Sequence, residues 1–409
     1  MTQVCNSPNS ISIDDNSKDN ISEVVAAIVM AVVGISAFLG MPIIVGALTD
    51  GYGLSETQAG YHAAISTAGS ILASVLVSFL IASVNRQMLL LVGLVVAAIF
   101  STATAFTLNF NTLLLLGFAA GFGGGIVYAV GIALLAGTRH VGKNFSILLF
   151  SQGIFGSLAL YSLPKIAVNF GAPSIFLTLS LVFTLVIPIA FLVAKKYQAE
   201  QTLERCHKEN TANALSPWLS LISIFFFYFA VGSFWTYVER LGKGADLSME
   251  FVTNSLTIGN ILALVGCLIA YWLSERVGQA RPLIVALACL CLAFGLLSSN
   301  INLPIYLFGV FSFFLFWNFI DIFQLGTLSE LDHSGSFAAL APAFQTLGIA
   351  SGPALSAWLL SQNWQLSNLM MLNSASTLIA FFTFLLVYFL SFKKKKNLRI
   401  PKQFNKESI

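Results

Sequence analysis

Twelve long apolar segments, at 23–48, 56–82, 87–108, 111–136, 145–169, 173–194, 217–240, 249–274, 282–299, 302–327, 335–360 and 369–392, fill most of this 409-residue chain. Each is long enough to carry an α-helix across roughly 30 Å of hydrocarbon. No water is available at that depth to satisfy N–H and C=O groups, so apolar segments of this length are expected to bond internally as helices. Charge agrees with this reading: Asp, Glu, Lys and Arg make up 9% of the chain, against about 25% in soluble domains. The sequence predicts an all-α integral membrane protein with twelve transmembrane helices and little chain left for a soluble catalytic domain.

Six segments lie on each side of a polar stretch. The expected organisation is a disordered cytoplasmic N-terminus at 1–20, a six-helix bundle at 21–194, a cytoplasmic linker at 195–216, a second six-helix bundle at 217–392 and a basic cytoplasmic tail at 393–409. Orientation follows from Lys and Arg, which concentrate in cytoplasmic loops. With both termini inside, 17 of the 20 basic residues fall on the cytoplasmic side, and only Lys165, Arg240 and Lys243 sit at outer helix ends. The first residues lack the basic n-region of a cleaved signal peptide. Lys393 to Lys396 read as an anchor for the last span, not as a nucleic-acid contact.

Catalytic and metal chemistry find no foothold. The five cysteines lie in spans or cytoplasmic segments, where disulfides are disfavoured. Neither they nor His62, His140, His207 and His333 form a ligand spacing. The run Gly121-Phe122-Gly123-Gly124-Gly125 is not followed by the Gly-Lys-Ser of a phosphate-binding loop. Inside an apolar helix, small residues instead let backbones approach closely. No metal, cofactor or enzyme constellation is predicted.

Against this background Asp321 stands alone, an acid deep in the tenth span. An ionisable group at that depth marks a transport or proton-relay site. It is a candidate to bind and release a proton, with a structural acid held by a neighbouring helix as the other reading. Trp317, Asn318 and Gln324 share one broad face with it at helical spacing. Tyr128 and Gln152 in the fourth and fifth spans and Trp235 in the seventh complete the candidates for proton coupling or solute binding. The seventh span ends in a cluster from Phe234 to Gly242. This is either interfacial packing or an outer gate in which Glu239 meets His62 or Lys165, with Arg240 beside it and Asp50 as a second acid at that mouth.

The loop after the eighth span reads Glu275-Arg276-Val277-Gly278-Gln279-Ala280-Arg281, and the equivalent stretch after the second reads Ser78 to Gln87 with Arg86 as its base. With this recurrence, residues 21–394 resemble the major facilitator superfamily. The family signature, Gly-x-x-x-Asp-Arg-x-Gly-Arg-Lys/Arg, is degenerate in the first loop and better kept in the second. The resemblance implies two pseudo-symmetric six-helix bundles and a midplane solute site lined by spans one, four, seven and ten. It also implies a cytoplasmic latch built from Glu275, Arg276 and Arg281, with Arg276 reaching Glu330 or Asp332. The stretch from Gly348 to Ala357 is similar to the Gly-x-x-x-Gly-Pro signature of the family's drug exchangers. That signature belongs in the fifth span, which here has no Gly-Pro pair, and the exchangers' fourth-span arginine is replaced by Gly117.

These readings converge on secondary active transport of a small organic, amphiphilic or aromatic solute by alternating access, driven by the transmembrane proton gradient in a bacterial inner membrane. No Arg or Lys lies near the centre of the expected cavity, so a phosphate ester lacks its counter-charge. The alternative is a multidrug/proton antiporter that exports hydrophobic compounds. Expected partners are the solute, protons and membrane lipids, with no nucleic acid and a functional monomer. Symport and antiport both remain open, because direction depends on how proton and solute binding couple.

Overall fold

The computed structural model describes residues 21–81, 84–136, 138, 141–193, 215–299, 301–331 and 336–393. The expected N-terminal segment 1–20, the linker up to 214 and the tail beyond 393 lie outside the described residues. The chain runs through α1 (Ile21–Gly34), α2 (Ser36–Leu39), α3 (Met41–Asp50), α4 (Glu56–Leu80), α5 (Arg86–Ala105), α6 (Phe110–Ala136), α7 (Val141–Phe170) and α8 (Pro173–Ala190). It continues through α9 (Leu215–Gly244), α10 (Met249–Val277), α11 (Ala280–Leu297), α12 (Leu303–Leu331), α13 (Ser336–Ser361), α14 (Leu366–Val387) and a π-helical turn, Tyr388–Lys393.

Ten of these helices are long and apolar enough to cross a membrane, and α1 and α3 are shorter apolar helices. Large apolar side chains such as Leu115, Leu268 and Met371 are exposed on the perimeter, as lipid-facing residues would be. The membrane fold is therefore all-α and multi-span.

The first predicted span departs from a continuous helix. It breaks at Ile35 (φ −98, ψ 5) and Gly40 (φ −97, ψ 7), giving α1, α2 and α3. Pro42, at the start of α3, has no N–H to return to the carbonyl four residues back, that of Phe38. That carbonyl is taken up elsewhere, as described below. Other starts follow ordinary capping. Ser55 and Gln58 form a reciprocal capping box at α4, and the Asn85 side chain accepts from the N–H groups of Gln87 and Met88 at α5.

Within the first half, α6 packs on α1, α4 and α5, and α5 packs on α8; within the second, α9 packs on α13 and α14, and α12 on α10 and α11. The main pairings across the halves are α4 with α13, α7 with α10 and α3 with α9, and α4 also touches α9. The two halves are filled differently. Around α9 and α12, Phe234, Phe294, Phe313, Phe314, Trp235 and Trp317 form one continuous aromatic cluster. The first half has small residues on α1, α4 and α6 instead, and there the interior stays open.

Candidate functional site

Asp321 on α12 is partly buried, and its Oδ1 accepts a hydrogen bond from Gln345 Nε2 on α13 at 2.7 Å. The Tyr228 hydroxyl on α9 adjoins the same carboxyl, with Trp317 beside Tyr228. Asn318 faces Cys267 on α10. Tyr128, on α6 of the first half, is the neighbouring hydroxyl across the divide and lies beside Gln152 on α7, whose Nε2 has no hydrogen-bond partner. Asp321 is thus ringed by amides and phenols from both halves of the chain. Gln324 is fully buried instead, with Nε2 turned toward Ser223 Oγ at 3.4 Å.

Tyr128 also lines a cavity of about 150 Å³. Its walls come chiefly from the first half and include Phe38, Phe176, Phe183, His62, Ser66 and Tyr128, while Thr346 and Ile349 of α13 close it from the second. Thr346 follows Gln345 in the chain, so the cavity and the Asp321 cluster share a border. Of the expected lining spans, the first and fourth contribute to this cavity, together with α4, α5 and α8, which were not among those expected. In the second half the aromatic side chains around Trp235 and Phe313 pack against one another.

Most hydroxyls in this cavity are already committed. Thr67 donates to Ala63 O, Ser70 to Gly121 O, Ser74 to Ser70 O and Thr104 to Phe100 O. His62 differs: it is buried, its ring packs edge-on to Phe176 at 6.3 Å, and neither ring nitrogen has a hydrogen-bond partner. A neutral imidazole offers one donor and one acceptor, and neither is used within the protein here.

The halves are joined by polar contacts at mid-depth and at the end where α3 finishes, α4 begins and α9 finishes, called here the distal end. Asn260 Nδ2 on α10 donates to Gly153 O at 2.6 Å and Ser157 Oγ at 3.0 Å on α7. Trp235 Nε1 donates to Phe38 O at 2.8 Å, the carbonyl that Pro42 leaves free. At the distal end Arg240 pairs with Asp50 at 2.8 Å and lies 3.6 Å from Glu56, while Lys243 pairs with Asp50 at 2.5 Å. Tyr237 also donates to Glu56 O at 3.4 Å.

A model of the Major Facilitator Superfamily matches residues 26–331. The chain belongs to that superfamily. Its fold is similar to crystal structures of the nucleoside transporter NupG: a point mutant aligns with a TM-score of 0.72 at 10% identity, covering 89% of this chain and 99% of that one. NupG itself aligns with a TM-score of 0.69 at 11% identity, covering 89% and 98%. No curated protein sequence matches. As a facilitator of this fold, the protein is a secondary active transporter working by alternating access, not an enzyme.

In this facilitator only part of the contact set expected at the distal end forms, with Arg240 meeting Asp50. Glu239 meets neither His62 nor Lys165. His62 faces the first-half cavity, the Lys165 ammonium lies 3.5 Å from the centroid of the Tyr161 ring, and Glu239 packs against Gly46 on α3. The cross-half ion pairs are made by Arg240 and Lys243, one and four positions further along α9, because those positions turn toward Asp50 and Glu56. At the signature loop, the Arg276 guanidinium lies 3.9 Å from the centroid of Trp272, one turn back on its own helix, and Arg281 is exposed. The Glu275 side chain and Asp332 lie outside the described residues.

Trp235 also differs from its expected role as a solute contact. It is 2% exposed, its N–H is engaged by Phe38, and its ring lies 5.9 Å from that of Trp317. It is a strut between the halves. Trp235→Phe keeps most of the ring packing but removes the side-chain donor to the Phe38 carbonyl. We expect about 1–3 kcal/mol of destabilisation, read as a lower melting temperature in detergent. An unchanged melting temperature would mean that the bond is dispensable.

Tyr228 and Gln345 complete the Asp321 cluster. Tyr228 sits in a run of phenylalanines that reads as packing, and Gln345 reads as a helix contact. Their shared target becomes visible only when α9, α12 and α13 are brought together.

Proposed function

We propose that this facilitator moves a small, neutral, ring-bearing organic solute in exchange for, or together with, a proton. The observation that carries the reading is the border shared by the two features: an apolar cavity with His62 on its wall adjoins, through Tyr128 and Gln345, the membrane-embedded carboxyl of Asp321. A volume near 150 Å³ suits a single aromatic ring. In this reading the ring enters the cavity, His62 hydrogen-bonds its polar edge, and Asp321 carries the proton. Tyr128, next to both, makes each occupancy felt by the other. A nucleoside, the solute named for the fold relatives, belongs to this chemical class and is the first to try.

The same proposal counts α1 to α3 as one span and α13 as another, giving twelve spans in two six-helix bundles at 21–194 and 217–392. Both termini are cytoplasmic, in a bacterial inner membrane. The distal end is then the outer mouth, held shut in this state by Asp50, Glu56, Arg240 and Lys243. The functional unit is a monomer, with membrane lipids and protons as its other partners. Arg276 and Arg281 anchor the cytoplasmic loop after α10, where the latch is proposed to engage together with Glu275. In α13, Gly348 and Gly352 lie against the backbone of α9 at Phe225 and Phe229, so the antiporter-like stretch is accounted for by helix packing.

Thermal stability of the purified protein against a library of nucleosides, neutral aromatic metabolites and lipophilic cations, at pH 6 and pH 8, tests the solute class. One related series of ring-bearing neutral compounds should stabilise it, and His62→Ala should remove that stabilisation. Stabilisation by many unrelated lipophilic cations would favour multidrug export instead.

A further inference from the structure

Glu239 is 1% exposed, and neither of its carboxyl oxygens has a hydrogen-bond partner. It points into a cavity of about 250 Å³ between the halves at the distal end, lined also by Gly46, Asp50, Pro164, Ala172 and Met249. Gly46 is required for this placement, since a Cβ there would collide with Glu239 Oε2. The charged groups around the carboxyl are Asp50 from α3, Glu56 from α4, and Arg240 and Lys243 from its own helix. Tyr306 of α12 also approaches, but its hydroxyl is donated to Val238 O at 3.1 Å. From α7, Lys165 is engaged with Tyr161, and from α10, Glu250 is exposed.

Three carboxyls therefore meet two cations, and both cations are engaged with Asp50 and Glu56. An ionised Glu239 would be a buried charge with no partner, an arrangement that proteins avoid by holding a proton. We propose that Glu239 is a proton-binding site that locks the outer gate, occupied when the gate is closed and emptied when it opens. Parting of the halves separates Asp50 from Lys243. Lys243 lies four residues after Glu239 on α9, the favourable order for an ion pair within a helix, so it turns back to Glu239 as the proton leaves. Closure reverses the exchange, and the proton is taken up from the outer side. This site is separate from Asp321 and does not depend on which solute is carried.

The test uses full-length protein with its five native cysteines replaced. Spin labels are placed at Asn169 and Gly244, exposed positions on α7 and α9, and the distance distribution is followed by double electron–electron resonance from pH 5 to 9. If opening releases one proton, the open-to-closed ratio rises about tenfold per pH unit within the responsive range. Glu239→Gln should abolish that slope and hold the short distance at every pH. Asp50→Asn, which frees Lys243 for Glu239 in both states, should flatten the slope as well and serves as the second probe if the first variant folds poorly. Asp321→Asn should leave the slope in place, so failure of the Asp321 reading leaves this inference standing. A wild-type slope in either gate variant would overturn the proposal, as would opening that follows sodium concentration instead of pH.

Discussion

Asp321→Asn is expected to abolish accumulation of solute against a gradient while exchange between equal pools continues. The substitution is nearly isosteric, and Asn keeps a carbonyl oxygen to accept the Gln345 bond measured at 2.7 Å. Packing among α9, α12 and α13 should therefore survive. The side chain can no longer gain or lose a proton, so under the proposed coupling the driving force has no route into the cycle. Binding and reorientation of the loaded carrier need no proton transfer and should persist, which separates a coupling residue from a structural one. Uptake and counterflow assays in proteoliposomes read the two activities separately. Loss of both, with a lowered melting temperature, would instead mark Asp321 as a structural acid.

Gly121→Ala should be among the most damaging of the conservative changes. The added methyl would collide with the carbonyl oxygen of Ser66 on α4, a backbone atom that no rotamer change can move aside. The helices must separate, at a cost of about 1–3 kcal/mol for overpacking of this kind. The same methyl would intrude on the cavity that Gly121 lines, so solute binding should weaken along with thermal stability. Gly244→Ala is the matched control: nothing lies within 4 Å of a Cβ there, and its effect should stay within about 0.5 kcal/mol. Equal melting temperatures for the two variants would show that α4 and α6 are less closely packed than this.

Much of this protein can be read along the chain. The apolar runs locate the helices to within a few residues because span length is set by bilayer thickness, and α12 at Leu303–Leu331 overlaps nearly all of the 302–327 expectation. Asp321 stands out for the same reason: a lone acid in an apolar run needs no neighbour to be conspicuous. The break in the first span was legible in principle, since Gly40 and Pro42 lie two residues apart, but the compensating donor, Trp235, is 197 positions away.

At the distal end, Arg240 and Asp50, both expected there, meet each other, whereas the expected contact of Glu239 with His62 or Lys165 is not made. Sequence spacing fixes which residues share a helix face, but it does not fix which face meets the neighbouring half. One position along α9 separates Glu239, packed on Gly46, from Arg240, paired with Asp50. The cavity was expected at the centre and lies toward the first half, because volume depends on the balance of glycine and serine on α4 and α6 against phenylalanine on α9 and α12. His62, expected at the gate, lines this cavity instead, because its burial beside Gly117 depends on how closely α4 and α6 approach.

Solute-driven proton movement is the most direct test of coupling through Asp321. Proteoliposomes containing the purified protein would be given an inward solute gradient with no pH gradient, and internal pH recorded with a trapped dye. Wild-type protein should change the internal pH in step with solute entry, in one direction for symport and the other for antiport, and the Asp321→Asn variant should give no change. Solute entry through wild-type protein at constant internal pH would contradict proton coupling and leave a facilitator without ion coupling.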